Sequence, residues 1–247
     1  MRGIWDIHSH ILNGVDDGAD TLEESLEILK MESSQGVEHV ILTPHYRAGM
    51  FEPDMELINQ KYCVLKNAVK ETWERENRKK SMTLYLGCEF HADMNMTTIL
   101  DAKKRPAMAG TQYVLVEFSR MESFLYIRER CFALMQRGYY PIIAHAERCL
   151  TLCQNDMEHL ERLEADGCLI QLNAGSVLGE GGWTIKRWCH KAIRAGVVHF
   201  IASDTHDLKT RKPRMDECYR ILQKKHGIST AEGLLIYNAQ ELFMNGV

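Results

Sequence analysis

The stretch Ile4-Trp5-Asp6-Ile7-His8-Ser9-His10, read on through Thr21 and Gly36 to Val40-Ile41-Leu42-Thr43-Pro44-His45, decides the fold. The apolar run at 4–7 has strand composition. Thr21 and Glu24 form a capping-box pattern opening a helix whose Leu22, Leu26 and Leu29 recur at helical spacing and which Gly36 ends. A second β-rich run, 38–43, follows at once. Strand, amphipathic helix, strand in so short a span predicts parallel strands joined by a helical crossover.

The same rhythm continues outward. Further strand candidates are 83–88, 113–117, 141–144, 168–172 and 198–203, which makes seven with 4–7 and 38–43. A long polar helix is expected over about 54–79, and others over 122–137, 156–166, 184–195 and 214–226, each stopping at Gly138, Gly167, Gly196 or Gly227. The class is α/β, and the favoured architecture is an irregular β/α barrel, with an open doubly wound sheet as the alternative. Only 5 prolines occur, and no low-complexity linker or internal repeat interrupts the rhythm, so one domain is expected over 1–247.

Composition bounds the functions available. Hydrophobic residues at 45% and charged residues at 26% suit a folded globular chain and exclude disorder. No apolar run approaches the ~20 residues of a membrane span. The start, Met1 to Asp6, carries an acid and then histidines where a secretory peptide would be apolar. Eight cysteines without a C-x-x-C pair fit a reduced, cytoplasmic protein. With 30 basic against 34 acidic residues, the formal charge of -4 argues against nucleic-acid binding. The short basic runs Arg78-Lys79-Lys80 and Lys103-Lys104-Arg105 read as solvated helix ends.

The chemistry lies at the carboxyl ends of the expected strands, where β/α barrels place catalytic groups. Strand one ends in His8 and His10, strand two is followed by His45, strand three by Glu89, strand four ends with Glu117, strand five with His145, and strand seven with Asp204 and His206. Six of the seven strands thus deliver a potential metal ligand to one rim. The two-residue spacing of His8 and His10 puts both imidazoles on one side of an extended chain, with Ile7 and Ser9 facing away. Asp204-Thr205-His206 repeats the device. Imidazoles with the carboxylates Asp17, Glu89, Glu117 and Asp204, and no thiolate, suit Mn, Fe or Zn. That many ligands exceed the needs of one ion and imply two or three, bridged by carboxylate, an arrangement suited to hydrolysing phosphate esters.

Arg148 and Arg211 sit beside this rim, and guanidinium forks match phosphate oxygens. Three divalent ions against four carboxylates leave roughly +2, which two arginines raise to roughly +4, enough to draw a phosphate dianion.

These residues in this order resemble the polymerase-and-histidinol-phosphatase (PHP) superfamily: D-I-H-S-H at 6–10, T-P-H at 43–45, G-C-E at 87–89, I-A-H at 143–145 and S-D-T-H at 203–206. Within it the chain is most similar to the bacterial manganese-dependent protein-tyrosine phosphatases of capsule and exopolysaccharide operons. V-D-D-G at 15–18, G-M-F-E at 49–52, V-E-F-S at 116–119, A-H-A-E-R at 144–148 and the Arg211-Lys212-Pro213 that follows Asp204 carry that closer likeness. The resemblance spans Asp6 to about Phe243. It implies a PHP-type distorted (β/α)7 barrel, a cluster of three divalent ions, usually manganese, and hydrolysis of phosphotyrosine without a phosphoenzyme. The implied ligands are His8, His10, Asp17, His45, Glu89, Glu117, His145, Asp204 and His206, with Arg148 and Arg211 as phosphate contacts. His45 and His206 are also the candidates for protonating the leaving oxygen, a metal-held water being the other option. The implied partner is a phosphotyrosine protein, a membrane-associated tyrosine kinase.

Other features read blandly. Cys131 and Arg137 have the C-x5-R spacing of cysteine-dependent phosphatases, but the residues between them lack glycine and continue a helix, so no phosphate loop is expected. His39, His159, His190, His199 and His226 read as surface or packing residues, and His91, two residues past Glu89, as a pocket neighbour. Asp16 stands open beside Asp17 as a turn residue or the true ligand. Met50-Phe51 would pack either on a substrate ring or in the core. A histidinol-phosphate phosphatase is the near alternative function. A metal-dependent amidohydrolase is a further one, disfavoured because no lysine ends a strand.

Overall fold

The computed structural model describes residues 3–78 and 82–244. Nine parallel strand segments are present among them: β1 (Ile4–Ser9), β2 (Val37–Leu42), β3 (His45–Tyr46), β4 (Thr83–Leu86), β5 (Glu89–His91), β6 (Tyr113–Glu117), β7 (Tyr140–Ile143), β8 (Leu169–Asn173) and β9 (Phe200–Ala202). They form one sheet in the order β1-β2-β4 and another in the order β3-β5-β6-β7-β8-β9.

The nine segments are seven ribs, two of them broken. The second rib parts into β2 and β3 at Thr43-Pro44, where proline has no N–H to give a ladder. The third parts into β4 and β5 at Gly87-Cys88. The Gly87 N–H donates to the Leu42 carbonyl at 2.8 Å and the Glu89 N–H to the Pro44 carbonyl at 3.2 Å, so the breaks lie side by side and the two sheets run on through them. Gly87 is required by space: a Cβ there would lie 2.8 Å from Met108 Sδ. At the other edge Ser9 bridges to Thr205, with the Asp204 N–H on the His8 carbonyl and the His10 N–H on the Thr205 carbonyl, both at 2.9 Å. The ring of ribs is therefore closed as a distorted barrel, and the open-sheet alternative falls.

Side-chain alternation sorts two cores. Trp5, Ile7, Ile41, Leu115, Ile142 and Phe200 meet inside the barrel, with Ala239 and Phe243 completing that cluster. The opposite faces, such as Val40, Leu42, Val114, Val116 and Leu172, share the larger cluster with Ile28, Ile127, Leu134, Leu163 and Leu222 of the surrounding helices. These helices are α1 (Leu22–Ser34), α2 (Met55–Arg75), α3 (Met96–Asp101), α4 (Phe124–Met135), α5 (Glu158–Ala165), α6 (Ala174–Leu178), α7 (Trp183–Ala195) and α8 (Met215–His226), then α9 (Ile228–Glu232), a π-helical turn (Gly233–Tyr237) and α10 (Asn238–Met244).

The five long helices expected after the first strand pair are α2, α4, α5, α7 and α8. At α1 the Thr21 hydroxyl accepts from the Glu24 N–H as expected, but the Glu24 carboxylate returns to the Asp20 N–H at 3.0 Å rather than to Thr21. Two local expectations change. The β1 register shifts between Asp6 and Ser9, so Ile7 joins the barrel interior beneath His8 instead of facing away from it. Arg105 is not a solvated helix end: it is buried, its guanidinium 4.7 Å from the Tyr46 ring centroid and bonded to the Pro53 carbonyl. Of the other basic run, Arg78 lies over Trp73, while Lys79 and Lys80 lie outside the described residues. No described helix is long and apolar enough to cross a membrane.

Candidate metal centre

The inward positions of the ribs continue upward from apolar to ionisable. Ile41 leads to His45, Tyr85 through Gly87 to Glu89, Leu115 to Glu117, and Phe200 through Ala202 to Asp204, each by steps of two along an extended chain. The structure brings all nine expected residues to this one place, in four overlapping groups whose ligand atoms lie within 4.8 Å of one another: His10, Asp17, His45 and His206; His8, His10 and Asp204; His8, Glu89 and His145; His45, Glu89 and Glu117.

Glu89 is the hub. Its Oε2 lies 3.1 Å from His8 Nε2, 3.2 Å from His10 Nε2 and 3.0 Å from His45 Nδ1, while Oε1 lies 2.8 Å from His145 Nε2. Oε2 is nevertheless without a hydrogen bond of proper geometry, as are His45 Nδ1 and His206 Nε2, all three buried. His8 Nε2 and His10 Nε2 face each other at 3.2 Å. Buried acceptors and lone pairs converging without bonding one another are costly unless a shared cation satisfies them. The donor set therefore fits a cluster of divalent ions.

The outer nitrogens of the same rings are held by hydrogen bonds that turn the inner ones toward the centre, as metal sites require. His10 Nδ1 donates to Asp16 Oδ2 at 2.7 Å, an oxygen that also accepts the His45 N–H at 3.0 Å. Asp16 is thus an orienting residue, whereas Asp17 Oδ1 faces His45 Nε2 at 3.5 Å and His206 Nε2 at 3.6 Å. His206 Nδ1 donates to the Asp204 carbonyl at 3.0 Å. His8 Nδ1 donates to Gln171 Oε1 at 3.2 Å, which also accepts the His145 N–H at 2.7 Å. Gln171 passes a hydrogen bond to Asn173 Oδ1 at 2.9 Å, and Asn173 Nδ2 gives one to Asp204 Oδ2 at 2.7 Å. Sequence reasoning missed these two amides of β8, the rib that supplies no ligand. Their signal was two polar side chains at alternate, inward positions of a buried strand.

Two of the clustered residues sit on strained backbone: His145 has φ 28° and Asp204 φ 53°. Left-handed φ at a non-glycine residue costs on the order of 1–3 kcal/mol and is kept where the surroundings enforce it. Gly18 meets another limit, because a Cβ there would fall 1.9 Å from the His10 carbonyl oxygen, the acceptor of the Ala19 N–H. The Asp16-Asp17-Gly18 loop can lie against His10 only with glycine.

Electrostatically the centre without cations is a proton trap. Burial of His10 opposes its charging, but the Asp16 carboxylate hydrogen-bonded to its Nδ1 and the nearby Glu89 carboxylate lift it to about 9. Burial likewise opposes His45, which the Glu89 carboxylate, 3.0 Å from its Nδ1, lifts to about 9. Burial would raise Asp204, but His8, Arg148 and Arg211 hold it far below the usual carboxylate range. The His206 ring facing it holds Asp17 down as well.

Arg148 Nη1 and Arg211 Nη2 converge on Asp204 Oδ2 at 2.7 and 2.9 Å, leaving Oδ1 turned to the histidines. Both arginines line a cavity of about 780 Å³ whose wall also includes Glu117, His145 and Asp204. His91 stands on that wall, bonded to Ser119 at 3.2 Å, outside the ligand groups. His45 and His206 do not line it; their nitrogens face the cluster. Phe51 stacks on the His45 ring at 5.3 Å and Met50 is exposed. The remaining histidines lie elsewhere: His39 stacks on Trp5, His159 on Phe124, and His190 bonds His226, while His199 accepts from the Ile170 N–H. Cys131 is buried within α4, so the C-x5-R spacing builds no phosphate loop.

Fold and site together define a class, the distorted β/α barrels that gather histidines and carboxylates into a candidate polynuclear metal centre at the carboxyl rim. Within it the chain belongs to the family described as capsular polysaccharide synthesis, CpsB/CapC, whose model matches residues 4–244. It is 33% identical over 245 residues to the tyrosine-protein phosphatase CpsB of Streptococcus agalactiae serotype III (strain NEM316), covering 97% of this chain and 98% of the relative. It is 30% identical over 245 residues to the tyrosine-protein phosphatase YwqE of Bacillus subtilis (strain 168), covering 97% and 91%. A solved structure from work on YwqE of Bacillus subtilis and CpsB of Streptococcus pneumoniae, described as unique metal-dependent tyrosine phosphatases, superposes with a TM-score of 0.87 at 27% identity, covering 99% of this chain and 96% of that one.

Proposed function

We propose that this protein is a metal-dependent protein-tyrosine phosphatase that hydrolyses phosphotyrosine in a protein of capsule or exopolysaccharide synthesis. The observation that carries this reading is Glu89 Oε2, buried, unbonded and ringed by three imidazole nitrogens at 3.0–3.2 Å beside an arginine-lined cavity. The ligands are His8, His10, Asp17, His45, Glu89, Glu117, His145, Asp204 and His206, taking up to three divalent ions. Manganese is the ion of first choice, and the nitrogen and oxygen donors also suit iron or zinc. When bound, such ions supply Lewis acidity, making water a nucleophile at neutral pH and drawing charge from the phosphoryl oxygens.

The chain's own groups do the rest. Arg148 and Arg211 keep further N–H donors beyond those given to Asp204, and these meet the phosphoryl oxygens bidentately as charge builds on them. Asn173 shares the Asp204 oxygen, so the carboxylate stays oriented when the arginines turn to substrate. Asp16, Gln171 and the Asp204 carbonyl fix the His10, His8 and His206 rings. The cavity, within the range of small-ligand sites, accommodates a phosphotyrosine side chain. The physiological partner in this reading is a membrane-associated tyrosine kinase, met in the cytoplasm.

The test is metal content together with phosphotyrosine and histidinol-phosphate turnover for wild type and Arg148→Ala. Loss of a hydrogen bond to a charged group lowers kcat/KM about 10–150-fold. Metal content should be retained and phosphotyrosine preferred. Unchanged turnover in the variant would remove the arginine from the mechanism, and preference for histidinol phosphate would replace the function.

A further inference from the structure

The cavity carries more positive charge than one phosphoryl group needs. Six of its lining side chains are arginine or lysine, in a chain whose formal charge is -4. Three are ion-paired locally: Arg148 and Arg211 share Asp204, and Arg214 pairs with Glu180 and Glu217. Arg47, Arg120 and Lys212 differ. All three are exposed, and no described residue forms an ion pair with any of them.

They stand on three separate loops, after β3, β6 and β9, so they approach the mouth from different sides. Each loop is anchored close to its cation. The Arg47 N–H donates to the Phe51 carbonyl at 3.0 Å, the Arg120 carbonyl accepts from Leu150 at 2.9 Å, and the Arg211 carbonyl next to Lys212 accepts from His206 at 2.9 Å. Like charges held together over a concave surface repel one another and focus the field into the cleft, an arrangement relieved by an anionic ligand. A flat membrane surface or a duplex backbone would meet a plane or a stripe of cations. A ring round a recess fits an extended peptide that inserts one side chain and leaves its neighbours at the rim.

Resting on the proposed phosphatase function, we infer that Arg47, Arg120 and Lys212 form a specificity collar that selects phosphotyrosine flanked by Asp or Glu. Exposed charge pairs are worth about 1.5–5-fold each, so three acting together give an acidic segment roughly a 10-fold advantage over a neutral one. The advantage should lie in KM and shrink as salt rises, because exposed pairs are screened.

The experiment compares equal-length phosphotyrosine peptides with acidic, Ser/Gly or Lys flanks. It measures kcat/KM with the manganese-loaded enzyme, and Kd by fluorescence anisotropy with the matching non-hydrolysable phosphonate peptides. The expected order is acidic, neutral, basic. Arg47→Gln, Arg120→Gln and Lys212→Gln should each reduce the acidic preference and together abolish it, while Arg137→Gln, an exposed arginine outside the cavity, should keep it. Equal values for acidic and neutral peptides, or a preference that survives the triple substitution, overturns the inference and leaves the phosphatase reading standing. So does a triple variant that loses binding to anionic phospholipid vesicles with no change among peptides. If none of the peptides is bound or hydrolysed, the phosphatase reading fails and the collar with it.

Discussion

Without cations, the centre should hold protons in their place, and pH should therefore govern metal loading. His10 and His45 are both lifted to about 9 by the carboxylates around them. Because these rings are more basic folded than unfolded, their protonation stabilises the metal-free chain fully below about pH 6.5, and that contribution drains away as pH rises through about 9. Metal ions take only the neutral rings. At pH 7 each ring must surrender a proton favoured about 100-fold, so two rings weaken apparent affinity about 10⁴-fold, on the order of 5 kcal/mol, relative to alkaline solution. Between pH 6 and 8 affinity should climb about 100-fold per pH unit. Calorimetric titration with Mn²⁺ at pH 6, 7 and 8, in two buffers of different ionisation enthalpy, reads both affinity and proton release. Nearly two protons should leave as the centre fills. Release of fewer than one, or an affinity flat across that range, would refute the assignment of these rings as ligands.

Three substitutions probe the surroundings. Gly18→Ala places a carbon 1.9 Å from the His10 carbonyl and must displace the loop that carries Asp16 and Asp17, so thermal unfolding should show a loss of at least about 2 kcal/mol together with reduced metal content; an unshifted Tm would show that the loop has another resting place. Asp16→Asn keeps the shape but removes the carboxylate charge that faces His10 Nδ1, and metal affinity by competition with a chelating dye should fall about 10–100-fold. Undiminished affinity would reduce Asp16 to a turn residue. Cys131→Ala should keep phosphotyrosine turnover, since its thiol is buried in α4 and pushed up by its hydrogen bond with Cys168 and by burial. Lost chemistry with the metals still bound would revive a thiolate mechanism.

The helical rhythm and the ligand rim were legible because both are local: amphipathic spacing, glycine stops and the two H-x-H and D-x-H pairs each declare themselves within a few residues. What stayed hidden depends on neighbours far along the chain. The break at Gly87 is set by Met108 and Ile41, and nothing adjacent in sequence announces it. The shift in β1 that turns Ile7 inward is a matter of pairing with β2. Gln171 and Asn173 take on a role only where the fold brings His8, His145 and Asp204 to meet them. Arg105 resembled its lysine neighbours by charge and was separated from them only by the Tyr46 ring and the Pro53 carbonyl. The run from Ile228 to Met244 was not anticipated as helix, since Gly233 interrupts it at the point where a π-helical turn begins.

The bridge from Ser9 to Thr205 joins the first rib to the last, and Phe243 completes the barrel interior from near the end of the described chain. Synthesis on the ribosome releases the N-terminal histidines long before their carboxylate counterpart at Asp204 emerges, at about 5–20 residues per second. During those seconds a nascent chain owns His8, His10 and His45 but no finished cage, so a stray ion captured then would be held weakly and exchangeably. In the proposed function, selection of the cation therefore falls to the completed molecule, and a product terminated before Asp204 would lack one of the proposed ligands.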